Sequence, residues 1–217
     1  MIVRYWMTAD PITTCPETLV VDAHSVFVRE KVRRLPVLVG ERMVGILSKS
    51  DLYRFVSPDR ASDSLTGELE SRVATRTVED VMTRDPATCG PNDPLEEVGE
   101  TMRRLKVGAL PVVQGDRLIG IITESDTLAA LAAVAQAGTD STRLSLRLPV
   151  DRSARQDVFA QMVDLARQAD VEIRTLLSHL APDGKYQIIT LRVHGEGCQS
   201  FTKSLIANDF QVMLVQD

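Results

Sequence analysis

Two similar strings of residues carry the side chains that suit the binding of a nucleoside phosphate. They are Gly45–Asp51 (Gly-Ile-Leu-Ser-Lys-Ser-Asp) and Gly120–Asp126 (Gly-Ile-Ile-Thr-Glu-Ser-Asp). Each string has a hydroxyl, Ser48 or Thr123, at the end of an apolar run. Unpaired N–H groups at a helix N-terminus attract phosphate, and such a hydroxyl can bind the same group. The final carboxylate of each string repels phosphate but can accept hydrogen bonds from two neighbouring ribose hydroxyls.

Helix capping is an alternative explanation of both strings. Ser-Asp before an apolar run is a common start of a helix, with Ser50 as the cap and Asp51 in the first turn. A duplicated segment would repeat a cap as readily as a binding site. Spacing alone therefore leaves both interpretations open. If a ligand binds, apolar backbone at 12–15 and 35–37 is placed to enclose a purine ring.

No arrangement typical of an enzyme active site occurs in the sequence. The three histidines, His24, His179 and His194, are scattered, and none lies in either string. No His, Cys and Asp residues have the spacing of a metal site. We therefore expect no catalytic residue, no metal and no cofactor.

Charge and hydropathy argue against nucleic-acid and membrane partners. The net charge is −5, and no basic stripe with interleaved aromatic residues is present. No apolar run approaches the length of about 18 residues that a membrane helix needs. The three cysteines are odd in number and far apart, which argues against a disulfide framework. A cytoplasmic protein is the expectation.

The two strings belong to an internal duplication. Residues 7–54 align without a gap onto 82–129 at a constant offset of 75, with 18 identities in 48 positions. The copies also share Met-Thr-x-Asp-Pro and Leu-Pro-Val. Two copies of such a supersecondary unit usually stack to bury what neither buries alone.

Each copy is predicted to fold as β-α-β-β-α, which indicates an α/β protein. The first copy is expected to form a short strand at 11–15, a helix at 19–32, strands at 35–39 and 43–47, and a helix from Ser50. The second copy repeats this order, from a strand at 86–89 to an Ala-rich helix from Ser125 that Gly138 caps.

The C-terminal part of the chain has its own pattern of elements. Leu144, Leu146 and Leu148 alternate as in a strand, and a helix is expected from Ser153. Strands at 171–180 and 186–193, a helix at 199–207 and a strand at 211–215 complete the order β-α-β-β-α-β. This is the ferredoxin-like order.

Over about residues 7–137, the two copies resemble a tandem CBS domain, the pair called a Bateman module. The resemblance implies adenine-nucleotide binding (AMP, ADP or ATP) in clefts between the copies, and a homodimer. It assigns phosphate binding to Ser48 and Thr123, and ribose binding to Asp51 and Asp126. With the flanking segments, the predicted contacts are Thr13, Thr14, Cys15, Arg34, Pro36, Ser48, Asp51, Thr88, Cys89, Leu110, Pro111, Thr123 and Asp126.

The two copies differ in charge near the expected sites. The first copy carries Arg33, Arg34 and Lys49. The aligned residues of the second copy are Gly108, Ala109 and Glu124. If both clefts exist, the first is predicted to tolerate more phosphate charge than the second.

After a CBS pair, the C-terminal order resembles an ACT domain, and the whole arrangement resembles bacterial acetoin-utilisation accessory proteins. The predicted boundaries are 1–60 for CBS repeat 1, 61–77 for a linker, 78–138 for CBS repeat 2 and 139–217 for the ACT-like domain. ACT domains often bind an amino acid near a glycine after their first strand. The corresponding stretch here has no glycine. Asp151, Arg152 and Ser153 are the candidate effector site, and a purely dimerising role is equally open.

Together these features predict a non-catalytic sensor. Nucleotide binding would shift the geometry of the dimer, and a regulated enzyme partner would respond to that shift. The alternative function is a ligand-free adaptor that assembles a metabolic enzyme.

Overall fold

A computed structural model of the chain describes residues 1–56, 75–135, 140–150 and 158–216. The chain divides into two compact units, Met1–Ala130 and Leu131–Asp217. Each unit is described here by itself.

The first unit contains both repeats, and their elements follow the same order. The first repeat forms β1 (Thr8–Ala9), α1 (Val20–Arg29), β2 (Arg34–Val39), β3 (Arg42–Ser48) and α2 (Lys49–Val56). The second forms α3 (Val78–Val81), β4 (Thr83–Arg84), α4 (Leu95–Leu105), β5 (Ala109–Gln114), β6 (Arg117–Thr123) and α5 (Glu124–Val134). A single 3-10 turn, Val3–Tyr5, occupies the position of α3 in the first repeat.

Two details of the predicted elements are wrong. Neither residues 11–15 nor residues 86–89 form a strand, because each segment makes only one isolated parallel bridge, Thr14 to Val37 and Cys89 to Val112. Each segment begins with a proline, which supplies no N–H donor and limits the pairing. The second error is the helix start: α2 begins at Lys49, so Ser48 rather than Ser50 precedes the first helical residue. The expected cap at Gly138 and the linker from 61 to 74 lie outside the described residues.

The two repeats exchange their first short strands. β1 of the first repeat pairs with β6 of the second, with Thr8 opposite Ile121. β4 of the second repeat pairs with β3 of the first, with Thr83 opposite Ile46. One antiparallel sheet of six strands results, and it contains both repeats.

The cores of the repeats are exchanged in the same way. Val3 is fully buried in the core of the second repeat, among Leu95 and Met102. Val78, its equivalent at the offset of 75, is fully buried in the core of the first repeat, beside Val20. Each repeat therefore completes the hydrophobic core of the other.

Close packing across the repeat boundary explains two of the shared sequence landmarks. A Cβ atom on Gly120 would lie 2.7 Å from Met7 Sδ, and a Cβ atom on Gly45 would lie 2.6 Å from Met82 Sδ. The methionine of each Met-Thr-x-Asp-Pro segment thus fills the space beside the glycine of the other copy's string. Any larger residue at either glycine would displace a neighbour.

The second unit confirms the predicted β-α-β-β-α-β order. Its elements are β7 (Thr142–Pro149), α6 (Val158–Gln168), β8 (Glu172–Leu180), β9 (Tyr186–His194), α7 (Cys198–Ala207) and β10 (Gln211–Gln216). The four strands form an antiparallel sheet in the order β10-β7-β9-β8. Leu146, Ile189 and Leu191 on this sheet pack with Met162 and Phe201 of the two helices.

Candidate functional site

The predicted hydroxyl and carboxylate of each string meet where a strand ends and a helix begins. In the first repeat, Ser48 N–H donates to Asp51 Oδ2 at 3.0 Å, and Asp51 N–H donates to Ser48 Oγ at 3.1 Å. In the second repeat, Thr123 N–H donates to Asp126 Oδ2 at 2.8 Å, and Asp126 N–H donates to Thr123 Oγ1 at 3.3 Å. These reciprocal bonds cap the helices that follow, so the capping interpretation of both strings is confirmed, with Ser48 and Thr123 as the capping residues. We call these two sites the first corner and the second corner.

The two corners differ in whether the aspartate keeps a carboxylate oxygen that makes no hydrogen bond. Asp51 Oδ1 accepts a hydrogen bond from Arg54 Nη1 at 3.4 Å. Ala129 stands at the position equivalent to Arg54 in the second repeat, so no such donor is present there. In the part of the chain that the structure describes, Asp126 Oδ1 has no hydrogen-bond partner. The second corner therefore has an acceptor that capping does not use.

A cleft of about 440 Å³ opens beside the second corner. Both repeats line it, through residues between Thr8 and Ile12, residues 31–34, Gly108 and residues between Ile121 and Ser125. The exchange of β1 brings the first segment here, because Thr8 pairs with Ile121. A hollow of ligand size thus adjoins the helix cap at the second corner.

Backbone geometry holds residues 31–34 beside the first corner, and the same residues also line the cleft of the second corner. Lys31 adopts a left-handed conformation (φ 54°), which ends α1 and turns the chain toward β2. Arg33 O then accepts a hydrogen bond from Lys49 N–H at 2.9 Å. The second repeat has the equivalent bond, from Glu124 N–H to Gly108 O at 3.2 Å. The same backbone arrangement therefore precedes both corners.

The lining of the cleft carries three basic side chains, Lys31, Arg33 and Arg34, and two acidic ones, Asp10 and Glu124. Arg34 is partly buried, and burial lowers the pKa of its guanidinium, while the carboxylates of Glu124 and Asp51 act to raise it. The basic pair at 33–34 thus lies in the cleft of the second corner. This changes the predicted charge difference, which grouped Arg33 and Arg34 with Lys49. Glu124 is the residue that shares their cleft.

Of the predicted nucleotide contacts, Arg34 and Thr123 line the cleft directly. Asp126 is bonded to Thr123. Ser48 and Asp51 belong to the first corner. The candidate effector residues Asp151, Arg152 and Ser153 lie outside the described residues.

The other predicted contacts lie on or beside β2 and β5. Thr14, between Thr13 and Cys15, donates its N–H to Pro36 O at 3.0 Å. Cys89, which follows Thr88, donates its N–H to Pro111 O at 3.0 Å. The side chains of Cys89 and Leu110 belong to the core of the second repeat, and burial raises the pKa of the Cys89 thiol to about 12. These two side chains are enclosed by the protein.

Sequence reasoning missed several residues of the lining. They are Thr8, Asp10, Pro11, Lys31, Val32 and Ser125. The Asp-Pro pair shared by both copies was a usable signal for the segment near Thr8. Its contribution to the other repeat's corner depends on strand exchange, which the sequence does not indicate.

Two classes of feature are absent from the described ranges of the chain. No helix there is long and apolar enough to span a membrane. No group of three or more His, Cys, Asp or Glu residues there is arranged to hold a metal ion.

Comparisons with known proteins agree on the first unit. The CBS domain family matches residues 3–58 and 78–133, which together are just over half of the chain. The uncharacterized protein MJ1225 of Methanocaldococcus jannaschii is 35% identical over 129 residues, which are 58% of this chain and 46% of that protein. The curated relatives are longer proteins, of which the chain covers between 12% and 46%.

Two solved structures show the same fold over the repeats. CBSX2 in complex with AMP has a TM-score of 0.52 and 28% identity, covering 61% of this chain and 97% of that one. A protein named for acetoin utilization (AcuB), from Vibrio cholerae, has a TM-score of 0.52 and 26% identity. That match covers 63% of this chain and 93% of AcuB.

Proposed function

We propose, from the premise that the chain belongs to the CBS domain family, that its repeats form a regulatory module that binds an adenine nucleotide at the second corner. The observation that carries this proposal is the cleft of about 440 Å³ beside Thr123. Small-molecule sites usually have volumes of about 300–1,000 Å³. The similar protein CBSX2 was crystallised with AMP, which supports the choice of ligand class.

The chemistry of the cleft suits the phosphate of such a ligand. Thr123 presents its hydroxyl where β6 ends, and the N-terminus of α5, which begins there, carries positive potential from the helix dipole. Arg33 and Lys31 line the same cleft and add positive charge. We assign phosphate binding to this group of donors.

The ribose and the purine are assigned to the other surfaces of the site. Asp126 keeps one carboxylate oxygen outside its capping bonds, and that oxygen can accept a ribose hydroxyl. Pro11, Ile12 and Ile121 form an apolar wall of the cleft, against which a purine can stack. No cofactor is needed for this function, since the nucleotide itself is the regulatory ligand.

The first corner is proposed as a second, weaker nucleotide site. Its Ser48 and Asp51 repeat the geometry of the second corner. Arg54 already contacts Asp51, so a ribose would compete with a guanidinium for that carboxylate. Thr88, Cys89 and Pro111 would contribute backbone to this site.

For the second unit we propose an ACT-like role in forming a homodimer. Its element order and antiparallel sheet are ferredoxin-like. β10 is an edge strand, and Met213, Leu214 and Val215 on it are between 43% and 51% exposed. An exposed apolar edge strand is a template for pairing with another chain. A second copy of this chain is the proposed occupant.

The same edge strand favours the alternative function, an adaptor that assembles a partner enzyme without a ligand. In the favoured function, nucleotide binding shifts the arrangement of the dimer, and an enzyme partner responds to the shift. A connection to acetoin utilisation is proposed from the order of domains and from the likeness to AcuB.

A thermal-shift experiment with AMP separates the two functions. AMP at about 100 times its dissociation constant should stabilise a binding protein by about 2.7 kcal/mol. Asp126→Asn should remove most of this ligand-dependent stabilisation, because Asn has one acceptor oxygen where the carboxylate has two.

The chain supplies a matched control for the loss of the cap. Thr77 and Asp80 form a capping box of the same type at the start of α3, and Asp80 does not line the cleft. Asp80→Asn should therefore lose a similar small amount of stability while keeping the full response to AMP. Equal responses to AMP in both variants would show that AMP binds without Asp126 and would reject the second corner as its site. No response in the unmodified protein would leave the ligand-free adaptor as the function.

A further inference from the structure

Gly108 is the place in the cleft where two opposite charges meet. A Cβ atom built on Gly108 would lie 3.0 Å from Glu124 Oε2 and closer still to Arg34 Nη2. The carboxylate and the guanidinium are therefore neighbours over the same glycine. Only a residue without a side chain leaves space for both.

Arg34 reaches this position from the other repeat. It opens β2, where its Cα is opposite Ser48 of the first corner. Its guanidinium extends to Gly108 and into the cleft of the second corner. The side chain is partly buried, so its interaction with Glu124 is less screened than that of an exposed pair.

The other two cations of the cleft attract a phosphate more weakly than Arg34 does. Lys31 and Arg33 are both exposed, and solvent screens exposed charges strongly. Glu124 thus opposes the charge of Arg34, the partly buried cation of the site, and adds a carboxylate beside the phosphate-binding corner. Every further phosphate on a ligand would bring more negative charge toward that carboxylate.

We propose that Glu124 acts as a charge filter, so that the second corner binds a nucleoside monophosphate in preference to the diphosphate or triphosphate. This inference rests on the proposed nucleotide function and assigns the ligand class within it. Arg34 and Gly108 are positioning residues of the filter: Arg34 attracts the carboxylate electrostatically, and Gly108 leaves it room.

The duplication provides an internal reference for this filter. Lys49 occupies the position of Glu124 at the first corner, with the same backbone hydrogen bond. The repeat therefore tolerates either sign of charge at this position. Glu124 is exposed, and within the described residues its hydrogen bonds use backbone atoms that any residue at this position supplies. Glu124→Lys is thus expected to fold normally.

Calorimetry with adenosine, AMP, ADP and ATP tests the proposal. Asp51→Asn serves as the background, so that the first corner contributes less to the signal. In this background, AMP should bind more tightly than ATP. Glu124→Gln should shift the ratio of the ATP and AMP affinities toward ATP by about threefold, and Glu124→Lys by about tenfold or more, because the change in charge is one and two units respectively.

Two controls distinguish a charge filter from other effects. Adenosine carries no phosphate, so its affinity should be the same in all variants. Glu41→Lys makes the same change in net charge at an exposed turn outside the cleft, and it should leave the ratio of affinities unchanged.

Different outcomes would contradict the charge filter and the nucleotide function. If AMP binds but the ratio of affinities is the same in all variants, or if ATP is preferred from the outset, the charge filter is wrong and the nucleotide function stands. A change in adenosine affinity as large as that in ATP affinity would also reject the filter. If none of the four ligands binds any variant, both proposals are wrong.

Discussion

The two corners have the same backbone and different side chains. Both helices α2 and α5 start with the same reciprocal capping bonds, and both are preceded by the same backbone hydrogen bond. Aligned pairs that differ in charge include Arg33 and Gly108, Arg34 and Ala109, Lys49 and Glu124, and Arg54 and Ala129. Duplication has therefore kept a shared frame, by which we mean the backbone and capping bonds common to both corners. A few substitutions around this frame set the charge that surrounds a ligand.

The shared frame is the part that a mutation should damage most. Gly45→Ala and Gly120→Ala would each place a Cβ atom within 2.7 Å of a methionine sulfur of the other repeat. Overpacking of this kind should lower the free energy of unfolding by about 1–3 kcal/mol, and by similar amounts at the two positions. Urea denaturation monitored by circular dichroism measures both values.

Gly99→Ala is the control for these two substitutions. Gly99 lies within α4, and the nearest atom to an added Cβ is Thr127 Cγ2 at 3.9 Å. Alanine is a better helix former, so this variant should be more stable by about 0.5–1 kcal/mol. Loss of stability at Gly99 equal to that at Gly45 would show that the close contact with methionine is not the cause.

Removal of the capping carboxylate should lower the free energy of unfolding by almost the same amount at the two corners. Asp51→Ala and Asp126→Ala each remove an acceptor from a capping box, which should cost about 1 kcal/mol of stability in the absence of ligand. Asp51→Ala should cost up to about 0.5 kcal/mol more, because Arg54 also loses its partner. Chemical denaturation of the two variants side by side gives the difference. A much larger loss at Asp126 would contradict the equivalence of the two frames.

The smallest expected effect concerns the exposed pair at the first corner. Arg54→Ala gives this corner the residue that the second corner has at Ala129. Without Arg54, Asp51 is free to accept a ribose hydroxyl, so AMP affinity at the first corner should increase by about two- to fivefold. The expected gain is small because an exposed ion pair such as Arg54–Asp51 is weak. Calorimetry in an Asp126→Asn background isolates this corner. The reverse substitution, Ala129→Arg, should weaken the second corner by a similar factor.

Much of the frame was predictable from the sequence, because the offset of 75 ties every landmark of one repeat to the other. The strands on both sides of each turn and the helices after Ser48 and Thr123 follow from alternation and capping residues. The choice of Ser48 over Ser50 as the cap did not follow, since both residues have a suitable hydroxyl. Local preference cannot decide between two such donors.

The composition of the cleft was not predictable, for a different reason. Alternating apolar residues indicate that a strand forms but do not name its partner. Pairing of β1 with β6 brings Asp10 and Ile12 to the second corner. The sequence alone placed Arg33 and Arg34 with Lys49, and the structure keeps that neighbour but also brings both arginines into one cleft with Glu124.

The exchanged valines have a consequence for biosynthesis. Val78 fills the core around Val20, and Val78 N–H donates to Thr18 O at 2.8 Å. Chains are made from the N-terminus at about 5–20 residues per second, so the first repeat leaves the ribosome before the residue that completes it. Its nascent form must wait with an open hydrophobic surface until translation reaches the second copy.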